Sequence, residues 1–121
     1  MELPSLAFGR YSSPHYAWGA GCDGWRLVDS DDLSVIEERV PPGATEERHV
    51  HDHATQVFYL LSGQAEMRTA DKVVPLTSGV GVEVPPGLAH QFANTGDHDV
   101  SFLVISAPST RDDRRADPQS R

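Results

Sequence analysis

Two spaced segments constrain this chain more than anything else in it. The first carries Gly43, His49-Val50-His51, Gln56 and Gly63; the second carries Gly79, Pro85-Pro86-Gly87, His90 and Asn94. In a strand, residues i and i+2 share a face. His49 and His51 therefore present two imidazoles about 7 Å apart along one backbone, close enough for both rings to lean onto one ion. Gln56 and His90 can complete such a site only if the intervening chain folds back. The glycines and prolines at fixed offsets are the residues that would turn it. The pattern predicts a β-barrel built around a metal site.

The rest of the chain agrees with that architecture. Short extended segments, separated by turn signals at roughly 8–12-residue spacing, indicate an all-β barrel or sandwich. They are Leu33–Val40, Glu47–His51, Gln56–Leu61, Gln64–Thr69, Val73–Leu76, Gly79–Val84, His90–Asn94 and Val100–Ser106. Residues 1–30 form a leader rich in glycine and aromatics (Tyr11, Tyr16, Trp18, Trp25), in which Gly19, Gly21 and Gly24 disfavour helix and a short strand near Gly24–Val28 fits. Residues 31–107 make the barrel. Residues 108–121 contain no apolar anchor and are expected to be disordered.

The paired segments resemble the two motifs of the cupin superfamily in its short, single-domain bacterial form. Gly79, Pro85, Gly87, His90 and Asn94 match the second motif throughout. Gly43, His49, His51 and Gly63 match the first, with Gln56 standing where the usual pattern has Glu. The resemblance covers roughly residues 33 to 107 and implies a double-stranded β-helix, the jelly-roll barrel, with His49, His51, Gln56 and His90 around one divalent transition metal: Zn, Mn, Fe, Ni or Cu. Gln56 either ligates the ion directly or hydrogen-bonds a bound water, and a neutral amide in place of a carboxylate leaves the ion its full charge, making it a stronger Lewis acid but a less tightly held one.

Composition excludes several classes of function. A chain of 121 residues with 38% hydrophobic and 23% charged residues is one globular domain. Its net charge of −8 would repel a phosphate backbone, so no nucleic-acid partner is expected. No apolar run approaches the ~20 residues of a membrane span, and a single cysteine, Cys22, fits a cytoplasmic protein. Val57–Leu61 and Phe102–Ile105 are apolar on both faces. Their outer faces need cover, from the aromatic leader and from a second copy in a homodimer.

Strand parity adds detail around the site. Phe58 and Leu60 share the parity of Gln56, and Phe92 that of His90, so these three should form the apolar floor of the pocket. His53 shares parity with His49 and His51 only if the strand runs straight. It falls where the chain must bend and is read as a rim residue of the pocket. His15 and His98 lie in loops. Trp18, Trp25 and Tyr16 either line a substrate mouth or cover barrel surface. Glu38 and Arg39 fall on opposite faces, but parity does not say which faces inward, so no general base is named.

A site with three or four protein ligands in a water-accessible barrel keeps positions open, the mark of a catalytic centre. The expectation is a metal-dependent enzyme acting on a small oxygen-rich metabolite: a hydroxy-carbonyl, keto-acid or sugar acid. The resemblance implies isomerase, lyase, decarboxylase or dioxygenase chemistry. A non-catalytic binding or sensing module is the alternative, as is a structural barrel with a vestigial metal site.

Overall fold

In the computed structural model, Leu3 and residues 5–117 are described, and they form eleven strands and one short 3-10 turn at Arg10–Ser12. The strands are β1 (His15–Trp18), β2 (Cys22–Asp29), β3 (Ser34–Val40), β4 (His49–Val50), β5 (Thr55–Ser62), β6 (Gln64–Arg68), β7 (Val73–Thr77), β8 (Gly81–Val84), β9 (Gln91–Ala93), β10 (Val100–Ala107) and β11 (Arg115–Ala116). A six-stranded sheet, ordered β1-β2-β3-β10-β5-β8, faces a three-stranded sheet, β7-β6-β9. Bridges Thr45↔Ala93 and His49↔His90 carry the second sheet on to β4. This is the all-β, double-stranded β-helix anticipated above.

Alternation along β5 decides what lies inside. Gln56, Phe58 and Leu60 are buried, whereas Tyr59 and Leu61 are 40% and 41% exposed. Register carries that parity across the sheet: Leu60 opposes Phe102, Phe58 opposes Val104, and Gln56 opposes Ser106. On the far side of β10, Phe102 opposes Glu38 and Val104 opposes Ile36. Glu38 therefore faces inward. Arg39 faces out, bound to Asp23 and Asp99.

The core joins both sheets. Phe58, Leu60 and Phe102 pack against Met67, Leu76 and Phe92. Phe92 stacks on Phe102 with ring centroids 4.1 Å apart. Gly63 turns β5 into β6 with φ +93°, where a β-carbon would meet the Asp99 carbonyl at 2.8 Å, so only glycine fits. Asn94 donates to the carbonyls of Val40 and His98 and accepts from the Gly96 N–H, fastening the loop between β9 and β10.

Both ends of the chain join this frame. The leader is not a separate cover: β1 and β2 extend the six-stranded sheet through β3. Arg10 lies 4.0 Å above the Trp25 ring and pairs with Glu37, so among the described residues the leader packs on β2 and β3, while Tyr59 and Leu61 of β5 stay exposed. Residues 108–117, expected to be disordered, fold back instead. Their strand β11 pairs with β4. Arg111 binds Asp29 and Asp31, Arg115 binds Asp52, and Asp117 binds Arg48. The anchors are ionic, which is why apolar content did not reveal them. Residues 118–121 lie outside the described residues. Among the described residues, no helix is long and apolar enough to cross a membrane.

Candidate metal centre

His49 and His90 form a bridge between β4 and the start of β9, with backbone hydrogen bonds in both directions at 3.0 and 2.9 Å. His51 follows two residues later on the same face. The three rings meet: centroids lie 4.8 Å apart for His49–His51, 4.4 Å for His49–His90 and 5.6 Å for His51–His90. One ring nitrogen from each falls within 4.8 Å of the others, and all three side chains are buried. Residues 41 positions apart thus reach a single point because two strands pair there.

Hydrogen bonding fixes which nitrogen each ring offers. Nδ1 of His49 lies 2.7 Å from the Glu47 carbonyl, Nδ1 of His90 lies 3.0 Å from the Leu88 carbonyl, and Nδ1 of His51 meets the Asp113 carbonyl. A carbonyl only accepts, so each Nδ1 carries the proton and each Nε2 keeps its lone pair. Burial lowers the pKa of His49 to about 3, aided by the charge of His90, and that of His90 to about 4, aided by His51; it lowers that of His51 as well. The imidazoles are neutral, the form in which a histidine can ligate a metal.

Gln56 supplies the test of whether an ion belongs here. Its Nε2 donates to Ser106 Oγ at 3.0 Å, which turns Oε1 toward His90 Nε2 at 3.1 Å. Two lone pairs then face each other in a buried place. That is unfavourable unless a cation lies between them. The donor set of three imidazole nitrogens and an amide oxygen fits a divalent transition metal. Ser106, which orients the amide, was not evident from spacing, although it is the cross-strand partner of Gln56.

Over this cluster opens a cavity of about 250 Å³, lined by His49, His51, Gln56 and Phe58 together with Tyr16, Arg26, Glu38, Glu46 and Arg114. Tyr16 donates its hydroxyl to Glu38 Oε2 at 3.1 Å. Its ring lies directly over Gly24, where a β-carbon would come within 2.2 Å of it. Glycine inside a strand marks such a close approach, and Gly24 was the signal that could have placed Tyr16 here. Burial raises the pKa of Glu38 to about 7, opposed by the Tyr16 hydrogen bond and the charges of Arg114 and Arg26. Burial, then the Glu38 charge, raises that of Glu46 to about 8. Glu46 also accepts the Phe92 N–H at 2.9 Å.

The other expected pocket residues divide. Phe58 reaches the cavity, whereas Leu60 and Phe92 lie deeper, in the apolar core. His53 does not border the pocket. It is exposed, because the chain turns at residues 52–54 around the Asp113 carboxylate, which accepts the N–H groups of Asp52, His53 and Ala54. Those three donors outweigh burial and lower the pKa of Asp113. Trp18 packs on the core and Trp25 lies outside. Asp113 and Arg114, from the segment expected to be disordered, are the residues the sequence concealed best.

The geometry can be set beside known proteins. The chain is 30% identical over 67 residues to an oxalate-binding protein from Thermotoga maritima, a match covering 55% of each. It is 29% identical over 89 residues to the xanthan biosynthesis protein XanB of Xanthomonas campestris, covering 70% of this chain but 19% of that one. The chain thus spans about half the length of one curated relative and a fifth of the other. In structure it resembles a predicted oxalate decarboxylase from Thermotoga maritima, with a TM-score of 0.79 at 18% identity, over 86% of this chain and all of that one. The cupin domain family model matches residues 36–106, which span every strand that contributes to the histidine cluster, and the chain belongs to that family.

Proposed function

We propose that this cupin is a metal-dependent enzyme acting on a small oxygen-rich metabolite: a hydroxy-carbonyl, keto-acid or sugar acid. The observation that carries the reading is the position of Glu38. A carboxyl with a pKa near neutrality faces the same small cavity as His49, His51 and Gln56. A divalent transition metal held by His49, His51, His90 and Gln56 would supply Lewis acidity toward a bound carbonyl or hydroxyl oxygen.

The chain's own residues account for proton movement. Glu38, with a pKa near 7, can take a proton at neutral pH and give it back. Tyr16 fixes the Glu38 carboxyl through its hydroxyl, and its own pKa is raised, first by burial and then by the Glu38 charge, so it stays protonated. Proton transfer next to a polarised oxygen is the chemistry of isomerases and lyases, which we favour over dioxygenase activity. A cavity of about 250 Å³ limits the substrate to a small molecule.

The test is elemental analysis of untagged protein, followed by incubation of the metal-loaded form with small hydroxy- and keto-acids in D2O. The expected result is one transition metal per chain, lost in His51→Ala, with deuterium incorporated into at least one acid. Deuterium exchange should fall at least ~100-fold in Glu38→Gln. Metal with ligand retention but no exchange would favour a binding module, a reading that similarity to an oxalate-binding protein supports. The exposed outer row of Tyr59 and Leu61 is proposed to pack on a second copy of the chain. Tyr59→Asp with Leu61→Asp should then elute as a monomer where the wild type elutes as a dimer.

A further inference from the structure

Eight arginines fall among the described residues, and in an acidic protein each should find a carboxylate. Six do: Arg10, Arg39, Arg48, Arg68, Arg111 and Arg115 all bind Asp or Glu within 3.1 Å. Arg26 and Arg114 make no ion pair among the described residues, and these two line the cavity over the histidine cluster. They reach it from opposite ends of the chain. Arg26 comes from β2, with its guanidinium carbon 4.6 Å from the Tyr16 ring. Arg114 comes from the C-terminal segment, between Asp113, whose carbonyl holds His51, and Arg115, which holds Asp52.

We infer that Arg26 and Arg114 form a carboxylate clamp, so that the ligand of this site is a small organic acid and not a neutral hydroxy-carbonyl. The inference rests on the proposed function and narrows its substrate class. Glu38 and Glu46 line the same cavity as the two arginines, yet neither forms an ion pair with them among the described residues. Both cavity carboxyls have pKa values raised toward neutrality or above, mainly by burial, so the guanidinium charges are left for a ligand. The charge of Arg114 acts on Tyr16, Glu38, Glu46 and all three histidines, which sets it over the whole chamber. Guanidinium groups bind carboxylates through paired N–H donors, with a preference for planar oxyanions. In a chamber of about 250 Å³, an acid clamped at one end would bring its neighbouring oxygen over the histidines.

The experiment is isothermal titration of zinc-loaded and metal-free protein with malonate, pyruvate and glycerate, each beside its neutral amide. At least one acid should bind the wild type about 10-fold or more tighter than its amide. That preference should disappear in Arg114→Gln and in Arg26→Gln, and persist in Arg68→Gln, which alters an arginine paired with Glu66 away from the cavity. Arg114→Lys should keep part of it, because charge survives but the fork does not. Thermal melts verify that each variant is folded. Equal affinity for acid and amide in the wild type would overturn the clamp, as would an unchanged preference in both glutamine variants. A phosphate ester outcompeting every acid would overturn it too. Zinc content is measured separately. A protein that keeps no zinc refutes the metal centre, while the acid preference is still scored on the metal-free form.

Discussion

The two ends of the barrel interior are made by the same strands and obey opposite rules. β5 contributes Gln56 to the polar end and Phe58 and Leu60 to the apolar end. His90 and Phe92, two residues apart on one face, divide in the same way. At one end, Phe58, Phe92 and Phe102 stack within 6.1 Å of one another and nothing polar intrudes. At the other, neutral imidazoles, an amide and two carboxyls are held in a cavity by hydrogen bonds that each come from outside the cluster. Phe58 is the boundary, its ring edge-on to His90 at 5.8 Å. The difference predicts that stability and metal binding can be perturbed separately, because Gln56 and Phe58, or His90 and Phe92, stand only two residues apart on one face.

The largest expected effect lies at the apolar end. Phe92→Ala should destabilise the protein by about 3–5 kcal/mol, through lost burial and the cavity left against Phe102. Urea denaturation measures it. A loss below about 1 kcal/mol would mean that the aromatic stack is not what holds the two sheets together.

Next comes the joint between the C-terminal segment and the polar end. Asp113→Ala removes a carboxylate that accepts three backbone N–H groups, at a cost of about 2–3 kcal/mol. It should also weaken zinc binding roughly 10–100-fold, because the Asp113 carbonyl orients His51. Asp113→Asn keeps an acceptor and should recover most of the affinity. If Ala and Asn bind zinc alike, the segment is a structural fastening only.

His51→Ala should show the reverse profile. We expect zinc affinity to fall at least ~100-fold, while the metal-free protein loses only about 1 kcal/mol. A stability loss as large as that of Phe92→Ala would erase the distinction between the two ends.

How much of this was readable in advance follows from the same division. His49, His51, Gln56 and His90 were legible because strand parity pairs the first two and the resemblance to the cupin motifs adds the others. Phe58 and Leu60 followed by parity from Gln56. Glu38 was not assignable, since parity divides a strand into two faces and only the pairing of β3 with β10 says which one is inside. Asp113 and Arg114 were concealed for another reason. Their segment is held by ion pairs and a two-residue strand, and neither leaves an apolar signature. His53, placed at a bend and read as a rim residue of the pocket, turns away from it instead, because that bend is set by a carboxylate 60 residues away.

The smallest effect tests whether the polar end costs stability. Glu38 has a folded pKa of about 7, above the usual 4.5, because burial disfavours its charge. Between those values the folded protein keeps a proton that the unfolded chain releases, so stability falls as pH rises from 4.5 to 7 and stays lowered above. Gln cannot ionise, yet it can still accept the Tyr16 hydroxyl. Glu38→Gln should therefore match the wild type near pH 4.5 and exceed it at pH 8. Because Glu38 is only partly buried, the gain should be about 1 kcal/mol rather than the full converted shift. Urea midpoints at the two pH values measure it. A difference that does not change with pH would mean that Glu38 ionises as freely in the cavity as in water, and the proposed base would lose its tuning.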